Sequence, residues 1–272
     1  MKVTALVENT TKNSKIKAKH GVSLYIETLQ HSVLFDVGSN GLFLENAQKL
    51  GIDISSVDRL IISHGHFDHG GALDLFLKSN KIAKIYIHKN AFNPHYIKVA
   101  GIKINIGLNQ KLKDNPRVTL TDNMFVLDDE LTLFSDTNYH EYRAESNKKL
   151  YAKEFGKIIQ DNFSHEQCLV ITENGNSTLF AGCSHKGIWN YVKEAERFCN
   201  SLLACVGGFH LYNPPTRKYE KDKLLDELAI ALKETGLKYF TCHCTGQYAF
   251  KRMKKIIGEN LSYLSCGESI EI

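Results

Sequence analysis

Apolar positions along this chain come in short bursts, each closed by glycine, asparagine or a charged turn, and the bursts form two successive series. In the first series, Val3 to Glu8 reads as a strand and the lysine-rich stretch 9–19 as a loop. Leu24-Tyr25-Ile26-Glu27-Thr28 alternates with a period of two, and His31 to Gly38 supplies a third strand across a tight turn. Apolar residues at 42, 43, 47 and 50 predict a helix from Gly41 to Leu50, ended by Gly51. Strand Val57 to Ser63, helix Gly71 to Lys78 and strand Lys84 to His88 complete the series.

The second series opens with Cys168 to Thr172 and Thr178 to Ala181, paired across Asn174-Gly175-Asn176, a strong hairpin signal. Helix Gly187 to Phe198, strand Leu202 to Val206 and the break at Pro214-Pro215 follow. Tyr219 to Thr235 is a long amphipathic helix with Leu224, Leu228, Ala231 and Leu232 on one stripe. Strand Tyr239 to Cys242, helix Tyr248 to Ile257 and a strand near Leu261 to Leu264 close the chain. Between the two series, Pro116 to Phe134 reads as two or three antiparallel strands and Tyr139 to Ile159 as an exposed Lys/Tyr-rich segment. Such a connection, within 91–160, reads as a lid or substrate segment. The whole is expected to be one domain, residues 1–272, of the α+β class: two β-sheets face to face with helices outside.

Composition narrows the function classes. A chain of 272 residues can bury a sizeable core without disulfide staples. No apolar run approaches the roughly 20 residues of a spanning helix, so no membrane role is expected. The formal charge of +4 is spread along the chain, which suits a small anionic substrate and does not indicate nucleic acid. Seven cysteines with no export signal predict reduced thiols in a cytoplasm. Oligomeric state is left open.

The candidate chemistry concentrates at Ser63-His64-Gly65-His66-Phe67-Asp68-His69-Gly70-Gly71, directly after an apolar strand. Two imidazoles two residues apart can point the same way from extended backbone. Imidazole and carboxylate suit zinc, iron or manganese. Four ligands so close exceed what one tetrahedral ion needs once a distant ligand joins, which predicts two metals sharing a site. The second series places further candidates at strand ends: His165, Cys183 with His185, His210 and His243. Cys168, Cys199, Cys205 and Cys266 lie in apolar segments and read as buried hydrophobes.

These residues resemble the metallo-β-lactamase superfamily, through His64-x-His66-x-Asp68-His69 followed by Gly70-Gly71. The stretches His20-Gly21-Val22-Ser23, His165-Glu166-Gln167, Gly182-Cys183-Ser184-His185, Gly207-Gly208-Phe209-His210 and His243-Cys244-Thr245-Gly246 are similar to one branch, the dihydropterin-methyl-ribofuranosylaminobenzene-phosphate synthase-like proteins. The resemblance implies a four-layer αββα sandwich, two mixed sheets with helices on the outer faces and metals along one edge. It implies His64, His66 and His165 on a first metal and Asp68, His69 and His243 on a second. Cys183 stands at the bridging place, usually Asp, with His185 as its alternative.

The expected activity is hydrolysis of a small, phosphate-containing substrate by water activated between two divalent ions, zinc first, iron or manganese otherwise. Asp68 would orient the nucleophile, and His210 and His20 would contact substrate or donate protons. Ser184 and Lys186, at the helix starting near Gly187, would seat an anion. Alternatives are a synthase-like pterin-methyl transfer and a non-catalytic metal- or ligand-binding role. A flavin-linked di-iron role is disfavoured because those relatives carry a glutamate where this chain has His66.

Overall fold

In the computed structural model, which describes residues 1–272, the first series folds as β1 (Lys2–Val7), β2 (Ser23–Glu27), β3 (Ser32–Phe35), α1 (Leu42–Leu50), β4 (Arg59–Ile62), α2 (Phe67–Gly70), α3 (Leu73–Ser79) and β5 (Lys84–His88). The middle of the chain adds β6 (His95–Val99), β7 (Ile102–Asn105), β8 (Val118–Thr121), β9 (Met124–Val126), β10 (Leu131–Phe134), β11 (Leu150–Glu154) and β12 (Lys157–Gln160). Then come β13 (Cys168–Glu173), β14 (Asn176–Ala181), α4 (Ile188–Ala195), β15 (Leu202–Gly207), β16 (Tyr212–Asn213) and β17 (Lys218–Tyr219). The chain ends with α5 (Asp222–Glu234), β18 (Lys238–Thr241), α6 (Gln247–Ile257), β19 (Leu261–Tyr263) and β20 (Ser269–Glu271).

Two seven-stranded sheets result, ordered β20-β1-β2-β3-β4-β5-β8 and β19-β18-β15-β14-β13-β10-β9. The period of two along each strand decides which layer a residue joins. Val33, Phe35 and Ile61 face the other sheet and meet Leu169, Ile171, Phe180 and Val206. Their neighbours Leu34, Leu60 and Ile62 face the opposite way, onto Phe43 and Ala47 of α1 and Leu73 and Phe76 of α3. In the second sheet Val170, Leu179, Cys205 and Tyr239 pack against Tyr191, Leu228 and Met253 of α4, α5 and α6. The architecture is therefore the expected αββα sandwich, with apolar layers on both faces of each sheet. Each Leu, Ile or Phe buried there contributes roughly 1.5–3 kcal/mol. No helix is long and apolar enough to cross a membrane.

Local signals acted as their chemistry requires. Asn174 and Gly175 both take positive φ, 51° and 80°, which the two-residue turn joining β13 to β14 needs. Gly51 ends α1 in the left-handed region, its N–H bonding back to the Ala47 and Gln48 carbonyls.

The middle of the chain departs from expectation. The three strands within Pro116 to Phe134 do not form one antiparallel unit. β8 runs parallel to β5 at the edge of the first sheet, while β9 and β10 pair antiparallel at the edge of the second. Tyr139 to Ile159 is not wholly irregular, because β11 and most of β12 lie within it. With β6 and β7 they form a separate four-stranded sheet, ordered β12-β11-β6-β7. The helix expected from Tyr219 begins at Asp222, since Tyr219 pairs with Tyr212 in the small β16–β17 hairpin. After the histidine motif, a single helical turn (α2) precedes α3 rather than one helix from Gly71.

Candidate metal centre

β3, β4, β14, β15 and β18 all end at the same rim of the sandwich, and the residues just past those ends converge there. This is the carboxyl-end rim where open parallel sheets bind ligands. The apolar run Leu60-Ile61-Ile62 is anchored on both faces, so the polar residues after it are presented at the edge.

Asp36, buried where β3 ends, organises the motif. Its Oδ1 accepts the Ser63 N–H at 2.7 Å, and its Oδ2 accepts the Ser63 hydroxyl at 2.7 Å and His69 Nδ1–H at 2.6 Å. With its proton committed to Asp36, Ser63 Oγ accepts from His64 Nδ1 at 2.9 Å. Asn9 performs the same service for His243: its Nδ2 donates to the His243 carbonyl at 3.1 Å, so its Oδ1 accepts Nδ1–H at 3.0 Å. Glu8 fixes the His243 backbone N–H at 2.7 Å. Asn147 repeats the arrangement on His185, donating to its carbonyl at 2.7 Å and accepting Nδ1–H at 3.1 Å. In each case Nδ1–H points outward and Nε2 is turned toward the centre.

What faces inward is a set of ligand-type atoms. His69 Nε2 lies 3.2 Å from Cys183 Sγ and 3.3 Å from His243 Nε2, and His243 Nε2 lies 3.2 Å from Asp68 Oδ2. Cys183 also groups with His64 and His185, and again with His210 and Cys244, so it is the corner shared by three sets. Nε2 of His64, His66 and His185 is buried with no hydrogen-bond partner. The His64, His66 and His185 rings lie 4.6–5.1 Å apart, centre to centre. Buried imidazole nitrogens without partners are costly, and a cation among them removes that cost. The donor set, imidazoles with one carboxylate and one thiol, fits zinc and also iron or manganese.

Charge tells the same story. Burial, reinforced by neighbouring imidazoles, pushes His64, His66 and His185 well below the usual histidine range, so their lone pairs stay free. Burial opposes charge on His69 too, but Asp36 and Asp68 outweigh it and raise it to about 9. Asp68 is held well below the carboxylate range despite burial, by His69, His20 and His243. Burial pushes the Cys183 thiol well up.

The structure brings His64, His66, Asp68, His69, Cys183, His185 and His243 to one place. Cys183 and His185, read as alternatives, both reach it. His20 is there as well, Nε2 to Asp68 Oδ2 at 3.1 Å, and Asp68 raises its pKa against the effect of burial. His210 lies beside His185, 4.1 Å between ring centres, with both ring nitrogens unpartnered. His165 adjoins the cluster, but both its nitrogens are engaged, by the Gly65 N–H at 3.0 Å and by Asp161 at 3.2 Å. Ser184 and Lys186 do not reach the groove: the Ser184 hydroxyl is buried, and Lys186 Nζ donates to the Ser135 carbonyl at 2.6 Å.

A groove of about 330 Å³ opens over the cluster. Beyond the cluster's own side chains, His20, His210 and Cys244 line it together with Phe67, Ile97, Ile106, Tyr212, Pro214 and Pro215, and no lysine or arginine does. Asp36, Glu8, Asn9, Asn147 and Asp161 escaped sequence reasoning. Asp36 alone left a signal, a carboxylate ending the buried run Val33-Leu34-Phe35.

Comparison with known proteins agrees with this picture. Residues 17–141 match the metallo-beta-lactamase superfamily model. A 7,8-dihydropterin-6-methyl-4-(beta-D-ribofuranosyl)-aminobenzene-5'-phosphate synthase of Methanocaldococcus jannaschii is 29% identical over 276 residues, 95% of this chain and 92% of that one. An uncharacterised protein of the same organism is 27% identical across 99% of this chain and 100% of its own. Among solved structures, Tm1679, a metal-dependent hydrolase of the beta-lactamase superfamily, superposes with a TM-score of 0.84 at 26% identity, covering 100% of this chain and 99% of that one.

Proposed function

Taking the chain as one with the metallo-β-lactamase superfamily signature and fold, we propose that it is a metal-dependent hydrolase with a binuclear site, acting on a small substrate. The observation that carries this reading is the set of buried Nε2 atoms on His64, His66 and His185 that have no partner, with the Cys183 thiol grouped beside His64 and His185. His64 and His66 would hold one ion with an imidazole from the second half of the chain. Asp68, His69 and His243 would hold the other, and Cys183 would stand between them. Zinc is the first candidate, with iron and manganese also compatible. When bound, such ions bring the pKa of a water toward neutrality and polarise a carbonyl or phosphoryl oxygen.

The chain's own residues do the rest. Asp68, kept ionised, has Oδ2 turned into the centre, where it can orient an attacking water. His20 donates to that same oxygen and is half exposed at the groove, so it can pass a proton to a leaving group. His210, its ring nitrogens uncommitted, offers a contact to the substrate's polar end. Phe67, Ile97, Tyr212 and Pro215 favour a flat apolar body on the substrate and exclude water from the opposite side. The anionic group expected of the substrate would be met by the ions, His20 and His210, since Lys186 is turned away.

The archaeal-type synthase resemblance keeps one rival, because a relative bearing that name aligns over 95% of this chain. A pterin would also suit the apolar wall. Metal analysis of the purified protein, followed by phosphodiesters, thioesters, lactones and pterin diphosphates under that metal, separates the two. Water-dependent product from the esters supports hydrolysis; product from a pterin diphosphate with an aromatic acceptor alone supports transfer. His66→Ala should lose both bound metal and turnover, and full activity in that variant sinks the scheme.

A further inference from the structure

Four imidazoles of the centre send Nδ1–H outward, His64 to Ser63, His69 to Asp36, His185 to Asn147 and His243 to Asn9. His165 is reversed. Its Nδ1 accepts the Gly65 N–H, so its proton sits on Nε2 and goes to Asp161 Oδ2. No lone pair is left for an ion. The same Asp161 oxygen accepts from His95 Nδ1 at 3.2 Å, and Oδ1 accepts the Phe163 N–H at 2.7 Å. All three side chains are buried.

These contacts join two parts of the molecule. His95 begins β6 and Asp161 follows β12, both in the four-stranded sheet, whereas Gly65 lies between His64 and His66. The fit leaves no room for a side chain at Gly65: a Cβ there would stand 2.4 Å from the Ala91 carbonyl oxygen and 2.6 Å from His95 Nε2. The His95 and His165 ring centres lie 3.9 Å apart, the planes tilted by 44°, and the Phe67 N–H donates to the Ile106 carbonyl at 2.7 Å, a second tie from the motif loop to the end of β7.

We propose that His165 is a positioning residue and not a metal ligand: with Asp161 and His95 it braces the Gly65 amide, locking the four-stranded sheet to the loop that carries His64 and His66, and His185 takes the ligand place. The clause on His185 rests on the metal reading above; the brace does not. His66, His95, Asp161 and His165 are close enough to hold an ion of their own, so the test must separate a brace from a third site.

Zinc per chain is measured in reconstituted wild type, His165→Asn and His185→Ala. The asparagine keeps an oxygen where Nδ1 accepted the Gly65 N–H but offers no imidazole. Two ions in wild type, two in His165→Asn and one in His185→Ala are expected. Loss of an ion in His165→Asn with two kept in His185→Ala overturns the assignment, as does a third ion in wild type that Asp161→Asn removes. Amide exchange in chelator-stripped protein tests the brace alone. Asp161→Asn should exchange about tenfold faster over 62–68, 91–107 and 145–161, with β13 and β14 unchanged. Unchanged exchange in those segments overturns the brace. Should Asp161→Asn not fold, His95→Asn gives the same readout. Wild type that takes up no zinc removes the metal reading and the His185 clause, while the exchange arm still decides the brace.

Discussion

At the scale of single residues, the fold keeps several imidazoles of the centre neutral, while Asp36 and Asp68 favour charge on His69. Burial lowers the pKa of His64, His66, His95 and His185 from the ordinary 6.5. A histidine with a lowered folded pKa refuses a proton that the unfolded chain accepts. Stability of the metal-free protein therefore falls as pH drops below about 6.5. Asp161 acts with the same sign in its own, lower window. Its carboxyl is held well below 3.8, against burial, by His165 and His95, so the stability it contributes is present above 3.8 and lost as pH falls beneath it. Urea midpoints of stripped protein should be lower at pH 5 than at pH 7.5. Asp161→Asn should retain that loss yet lack the further decline below 3.8. Equal wild-type midpoints at pH 5 and 7.5 would contradict the neutral-imidazole account. The ligand candidates were legible in the sequence because four of them sit within six residues. Their outward partners were not, because Asn9, Asn147 and Asp161 acquire meaning only through what the fold sets beside them.

At the scale of elements, the centre depends on strands ending in register. β14 and β15 run parallel, with Ala181 opposite Gly207 in the last rung before Cys183 and His210. Gly207 has φ 152°, and a Cβ there would lie 2.1 Å from the Ala181 carbonyl oxygen. Gly207→Ala should push the two strand ends apart, costing about 2–4 kcal/mol by denaturant unfolding, and weaken zinc binding through Cys183 and His243. A stable variant with wild-type zinc affinity would show that the rung has slack. The core strands were readable because each is apolar on both faces or ends in a strong turn. β6, β7, β11 and β12 were not: Ile102, Ile104, Ile158 and Ile159 are exposed and lysines interrupt the pattern, so the usual inside-outside alternation is missing. That unread sheet turns out to supply Ile97 to the groove and His95 to the brace.

At the scale of the molecule, the proposed ligands divide between the two sheets. His64, His66, Asp68 and His69 follow β4 of the first, while Cys183, His185 and His243 follow β14 and β18 of the second. Ion binding and sheet packing must therefore be linked, since an ion can meet its full ligand set only when the sheets are closed on each other. Phe35 and Phe180 stand across that interface, 6.2 Å between ring centres and both fully buried. Phe35→Ala removes an aromatic ring from the apolar layer and should cost about 3–5 kcal/mol in stripped protein. Zinc at a hundred times its dissociation constant should return about 2.7 kcal/mol per bound ion to wild type and variant alike, provided the ions bind only the closed sandwich. Chelation should lower the urea midpoint of wild type by the corresponding amount. A midpoint indifferent to zinc would mean that the ligands do not bind an ion across the two sheets. A zinc shift that survives in Phe35→Ala while His243→Ala roughly halves it would place the linkage in the ligands rather than in the packing around them.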